Sequence, residues 1–255
     1  PEDYEIPASA RNRVSGTKTL HAAFMAAIQS ADPKLEADVR KRFEISTQEL
    51  MAFATKAAAG MREKQRYVRG LYTGGTLAYE TLIILSRLIG EVHSNTPIHP
   101  LLKLTDSYRS VKDSVIDLGE EEFTEGRAHP MIDPTIRKMR LIDEAKDPEV
   151  AVILMDVMLG YGSHPDPAGA MLSAVVDAKS IAEMDGRALP VLAHVCGTEE
   201  DPQPLTEQIA KLRNVGVHVF PTNAMMAVAG ALVARRGRIS SKTVDEVYKD
   251  LLEAF

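Results

Sequence analysis

AVILMDVMLG (residues 151–160) decides the fold of this chain. Apart from Asp156 and the closing Gly160 the run is apolar, and it is flanked by polar, helix-forming segments. A strand with one wet face alternates apolar and polar residues; a continuous run fits a strand covered on both faces, as in a parallel sheet. LPVLAHVCG (189–197) reads the same way. Working outward, YVRGLY (67–72), SVIDLG (114–119) and GVHVFPTN (216–223) complete a set of five strand candidates. Helical periodicity falls between and after them at 77–90, 134–146, 167–184, 203–214 and 224–236, with a last helix in KTVDEVYKDLLEAF. Strand alternating with helix predicts right-handed crossovers and an α/β architecture. We expect a flavodoxin-like five-stranded parallel sheet with helices on both faces over residues 67–255. The first 66 residues, GTKTLHAAFMAAIQSAD through STQELMAFATKAAAGMREKQ, read as an N-terminal helical appendage, with Ser46 or Thr47 placed to cap a helix. The opening PEDYEIPASARNR is expected to be loosely ordered.

Composition bounds the function. The 255 residues are 45% hydrophobic, with a formal charge of −6, one cysteine and no tryptophan. A single Cys196 supplies neither a disulfide framework nor a thiolate metal cluster, and it points to a reducing, cytoplasmic setting. No basic stripe interleaved with aromatics suggests a nucleic-acid partner, and no apolar run has the length of a membrane span. A start at Pro1 fits a processed or excised piece of something longer.

Two loops repeat one arrangement. GRAHPMIDP (126–134) and GYGSHPDPAG (160–169) each carry glycine, a His-Pro pair and an Asp-Pro pair. Asp133-Pro134, Asp166-Pro167 and Asp201-Pro202 stand just before predicted helices, where Asp caps the first turn and Pro loses nothing by lacking an N–H. Capping is therefore the main reading of these aspartates. A histidine before proline is held extended, and His129 and His164 are the candidate catalytic groups because imidazole titrates near neutrality.

In open parallel sheets, ligands collect beyond the carboxyl ends of the strands where the strand order reverses. The loops expected there are TGGTLAYE (73–80) and GYGSHPDPAG. Gly74 and Gly75 allow a ligand close to the backbone, and Thr76 leads a helix with no acidic cap, a setting suited to an anion. Gly160, Gly162, Thr222 and Asn223 are the further candidate binding residues, as backbone or neutral polar donors. The sequence has neither a P-loop nor a dinucleotide fingerprint. The connection 120–132 is long enough to be a functional loop, with Arg127 beside His129, and its Glu120, Glu121, Glu122 and Glu125 read as a solvated acidic face. Segment 93–113 reads as a surface excursion. Cys196 reads as an inert thiol, and no Ser-His-Asp elbow occurs.

The segments YVRGLYTGGTLAYE, VIDLGEEEFTEGRAHPMIDPTIR, ILMDVMLGYGSHPDPAGAM, HVCGTEEDPQPL and GVHVFPTNAMMA resemble the carboxy-terminal half of the FdrA proteins. That half is similar in turn to the CoA-ligase domain of the succinyl-CoA synthetase and ATP-citrate lyase superfamily. The resemblance implies a subunit or fragment of an acyl-CoA-synthetase-like enzyme, with CoA or ATP supplied through partner domains and other subunits completing an oligomer. It implies as alternatives a carbamoyltransferase complex of the oxamate type, or a non-catalytic assembly domain. The Gly-His-Ala-Gly context of the phosphorylated histidine in the ligases is missing, so neither His129 nor His164 inherits that role. No metal is implied.

Overall fold

The computed structural model describes Val14 and residues 16–252. The opening PEDYEIPASARNR and the last three positions of the predicted final helix lie outside the described residues. Six parallel strands form one sheet: β1 (Tyr67–Tyr72), β2 (His93–Ser94), β3 (Ser114–Asp117), β4 (Val150–Met158), β5 (Val191–Cys196) and β6 (His218–Phe220), in the order β2-β3-β1-β4-β5-β6. The five strands expected from sequence are present in flavodoxin-like order. The sixth, β2, is a correction: two residues carry no periodicity, and the strand exists only because His93 and Ser94 pair with Ser114 and Val115.

Burial along β4 explains the opening run. Val152 and Leu154 enter one core cluster, while Ile153, Met155 and Val157 enter the other on the opposite face. Successive side chains alternate across a strand, so only a run apolar at every position satisfies both cores. One face is covered by α4 (Gly75–Ile89) and α9 (Asn223–Ala234), the other by α6 (Thr135–Lys146), α7 (Pro167–Met184) and α8 (Leu205–Asn214).

Helix α9 is buried at every one of its positions. Its outer side is closed by α3 (Thr47–Ala57), whose Leu50 and Ala54 enter the same core, and by α10 (Ser241–Val247) through Val244 and Val247. The segment expected as an appendage therefore contributes α3 to the core of the sheet domain, because a helix apolar all round needs neighbours on all sides. Ser46 caps α3 in a reciprocal capping box with Glu49. Upstream, α1 (Leu20–Ala31) and α2 (Pro33–Phe43) are capped by Thr19 and by Asp32, which precedes Pro33.

Of the three expected Asp-Pro caps, Asp166 accepts the Gly169 N–H at 3.1 Å at the head of α7. Asp133 accepts from the Thr135 N–H at 3.0 Å, one residue ahead of the formal cap of α6. Asp201 is a correction. It accepts from Thr198 within its own turn, and α8 starts only at Leu205. Pro204 forces Gln203 out of the helical region, which delays the helix. No helix among the described residues is long and apolar enough to cross a membrane.

Candidate functional site: the carboxyl rim between β1 and β4

The strand order reverses between β1 and β4, because β1 pairs with β3 on one side and β4 on the other. Helix α4 begins at this point. Its cap is Gly74, in extended backbone, with no side-chain cap and no acidic residue in the first turn. Every other described helix of eight residues or more has a side chain on an N–H at its start: Thr19, Asp32, Ser46, Asp133, Asp166, Glu199 on Thr206, and Thr222. Gly75 and Thr76 are exposed. The α4 terminus thus offers free N–H groups and the positive end of a 15-residue dipole to solvent.

Below it lies a buried polar anchor. Asp156, near the end of β4, accepts from the Thr73 N–H at 2.9 Å and the Thr73 hydroxyl at 2.5 Å. Arg137 of α6, itself buried, donates through Nη2 to the Asp156 carboxylate at 3.0 Å and to its backbone carbonyl at 2.5 Å. The strand end that launches the Gly74-Gly75 turn is therefore fixed by a paired charge.

The 120–132 connection crosses this point as a strap. After the short helix α5 (Glu121–Thr124), whose Phe123 packs edge-on against Tyr108, it returns toward β1. Gly119 seats it: a Cβ there would lie 2.5 Å from the Thr73 carbonyl oxygen, 2.8 Å from His129 Nε2 and 3.1 Å from Asp117 Oδ1. Further along, the Met131 carbonyl accepts the His164 N–H at 2.8 Å, joining the loops that follow β3 and β4.

Both candidate histidines use the same local geometry. His129 Nδ1 accepts the Met131 N–H at 3.2 Å, and His164 Nδ1 accepts the Asp166 N–H at 2.9 Å. In each His-Pro-X turn the ring nitrogen takes the N–H of the residue after proline. That bond assigns the proton of the neutral ring to Nε2, so both side chains are held as Nε2–H donors.

The remaining candidates separate. Gly162 is exposed in the β4 loop, beside Tyr161, which is 93% exposed. Gly160 is clamped: its N–H donates to Gln203 Oε1 at 2.9 Å and its carbonyl accepts from Gln203 Nε2 at 3.1 Å. Thr222 already caps α9 by accepting the Met225 N–H. Asn223 is buried, donating to the Leu77 carbonyl and to Glu80, and so ties α9 to α4 beneath the rim. Gly160, Thr222 and Asn223 therefore have their polar groups occupied within the fold. Cys196 is half-buried, and burial, then Asp156 and Asp201, push its thiol above the ordinary range. Arg127 is exposed on the strap.

Sequence reasoning passed over Asp117. Its Oδ1 accepts the Gly119 N–H at 2.8 Å, and its Oδ2 lies 2.9 Å from where a Cβ on Gly75 would stand. Burial first, then Glu120 and Asp156, raise its carboxyl above the usual range, against the Gly119 bond and His129. Asn95 grips the Asp117 backbone through both its N–H and its carbonyl. An acid at the end of an apolar strand run was the available signal.

A model of the CoA-ligase family matches residues 71–233, well over half of the chain. The chain belongs to the CoA-ligase family. The CoA-ligase match runs from within β1 to the end of α9 and encloses every rim loop described above, leaving α1 to α3 outside it. The uncharacterized protein YahF of Escherichia coli (strain K12) is 47% identical over 159 residues, which cover 62% of this chain and 31% of YahF. The CoA-ligase chain thus spans about a third of that relative. The crystal structure of PH0766 from Pyrococcus horikoshii OT3 is similar over 89% of this chain and 52% of that one, at a TM-score of 0.39 and 14% identity, too distant to bear on the site.

Proposed function

We propose that this CoA-ligase domain is one component of an acyl-CoA-synthetase-like enzyme and binds a phosphate, carboxylate or acyl phosphate at the start of α4. The observation that carries this reading is the free, exposed N-terminus of α4 at the point where the strand order reverses, while the other described helices of eight residues or more are met by side chains. Backbone N–H groups from Gly75 and Thr76 are already oriented, so they stabilise charge on a ligand oxygen without reorganising. His129 and His164, with Nδ1 engaged by the backbone, donate through Nε2–H to the same ligand, and Gly162 leaves backbone room across the crevice. CoA and ATP enter through other domains or subunits.

The FdrA resemblance supports a carbamoyltransferase component as the alternative, which uses the same anion site. The non-catalytic assembly reading draws on Tyr161 and Ile132, apolar side chains left open on the rim. A thermal-shift panel with phosphate, carbamoyl phosphate, CoA, succinate and oxamate separates them. A midpoint rise specific to succinate, phosphate or CoA supports acyl chemistry, and one specific to carbamoyl phosphate or oxamate supports carbamoyl transfer. No response to any of the five leaves the assembly reading in place and removes the catalytic one.

A further inference from the structure

At the opposite edge of the sheet, where β5 and β6 begin, a cleft of about 760 Å³ opens between α3 and the end of α7. Its size falls within the range of about 300–1,000 Å³ usual for small-molecule sites. Its walls combine Phe53, Ala57, Leu189 and Pro190 with Lys56, Lys179, Glu183 and His218. The Phe53 ring packs edge-on against His218 at 4.9 Å and Phe220 at 5.2 Å.

Charge at the cleft runs against that of the chain, which carries −6 overall. Lys56, on the last turn of α3, is exposed. Lys179 donates to the carbonyls of Val215 at 3.1 Å and Gly216 at 2.9 Å. An ammonium has three N–H donors, so one is left over. Gly216 has φ +72°, a backbone conformation that favours glycine, and a Cβ there would stand 2.5 Å from Lys179 Nζ. Arg187 also lines the cleft but is paired with Asp185 and bonded to the Ala145 carbonyl, which leaves Glu183 as the acid facing the two lysines. Closing the carbonyls at the end of α8 accounts for Lys179; it accounts for neither Lys56 nor the volume.

We propose that this cleft is a second ligand site, separate from the rim, for a molecule with a carboxylate or phosphate on an apolar or planar body. The anion sits between the ammonium groups of Lys56 and Lys179, and the body lies against Phe53 and Pro190. His218 reports on it: burial, then Lys179 and Lys56, hold its imidazole below the ordinary range, and an anion between the lysines relieves their share.

The test is an NMR titration of the His218 ring in the full chain with inorganic phosphate, 5′-AMP and hexanoate, repeated in Lys56→Glu and Gly74→Asp. We expect saturable shifts and a raised His218 titration midpoint with 5′-AMP or hexanoate at lower concentration than with phosphate. Lys56→Glu is expected to weaken this at least ten-fold with an unchanged melting temperature, since Lys56 is a solvent-facing side chain. Gly74→Asp is expected to leave it intact, which separates failure here from failure at the rim. Absence of any His218 shift at millimolar probe, equal binding of phosphate and the two larger probes, or binding indifferent to Lys56→Glu overturns the proposal.

Discussion

Replacing Gly74 separates the helix-terminus reading from every structural explanation of a lost function. A Cβ at Gly74 meets nothing within 4 Å, and its backbone, φ −169° and ψ 161°, is what a capping Asp or Asn adopts. Either residue caps a helix better than Gly by a few tenths of a kcal/mol. Asp adds about 0.3–1 kcal/mol with the α4 dipole, which repulsion from nearby Asp117 offsets in part. Both variants should therefore unfold at or slightly above the wild-type urea midpoint. Binding moves the other way only for Asp. A carboxylate roughly 5 Å from a bound monoanion costs about 3 kcal/mol at an effective dielectric of about 20. With Gly75 and Thr76 open to solvent, salt screening reduces this to about 1–2 kcal/mol, roughly a five- to thirty-fold loss of affinity that shrinks at high ionic strength. Titration calorimetry with the responding anion, at low and high salt, compares Gly74→Asp with Gly74→Asn, which share shape and differ in charge. Equal affinity of the two variants refutes an anion at the start of α4.

Four further outcomes follow from the geometry. Gly119→Ala pushes a methyl to 2.5 Å from the Thr73 carbonyl and 2.8 Å from His129 Nε2, and should cost about 2–4 kcal/mol in urea unfolding; an unchanged midpoint means the strap is not seated as described. Arg137→Met strands the buried Asp156 carboxylate and should cost about 3–5 kcal/mol, much of it recovered when Asp156→Asn is added, which removes the charge and keeps an oxygen for the Thr73 donors; a double variant no better than the single one removes the pairing argument. His21 is 4% exposed, its Nδ1 has no partner, and burial, then Arg40, lower it from 6.5 to about 4. The unfolded chain binds this proton first, so stability present above pH 6.5 is lost as pH falls toward about 4, by about 3 kcal/mol at most. Glu80, raised by burial, acts in the opposite direction, so the comparison is with His21→Gln, in which this acid-side loss should shrink. Asp166→Ala should cost about 1 kcal/mol and Asp166→Asn much less, whereas Asp201→Ala should leave α8 intact by circular dichroism.

The parallel sheet was legible because its signal is local and repeated: β4 and β5 are apolar at consecutive positions, and glycine or Asp-Pro punctuates the loops. The uncapped Gly74-Gly75 turn could also be read, since a missing acidic cap is a property of neighbouring residues. Gly119 and Gln203 could not. Gly119 matters because the Thr73 carbonyl and His129 close on it from elsewhere in the chain, and Gln203 because it reaches Gly160 across 43 positions. The cap expected at Asp201 failed for a related reason, in that Gln203 serves the neighbouring loop and the cap position of α8 falls to Pro204.

By itself the sequence determined which segments become strands and helices, the parallel sense of the sheet, and the end of it where loops gather, because hydrophobic period and turn chemistry act over a few residues. Tertiary structure alone decided which of the candidate donors are already occupied, and that α3 closes the core over α9. Those outcomes depend on groups distant along the chain meeting within hydrogen-bond or contact distance, and no periodicity in one segment encodes where the other segment will lie.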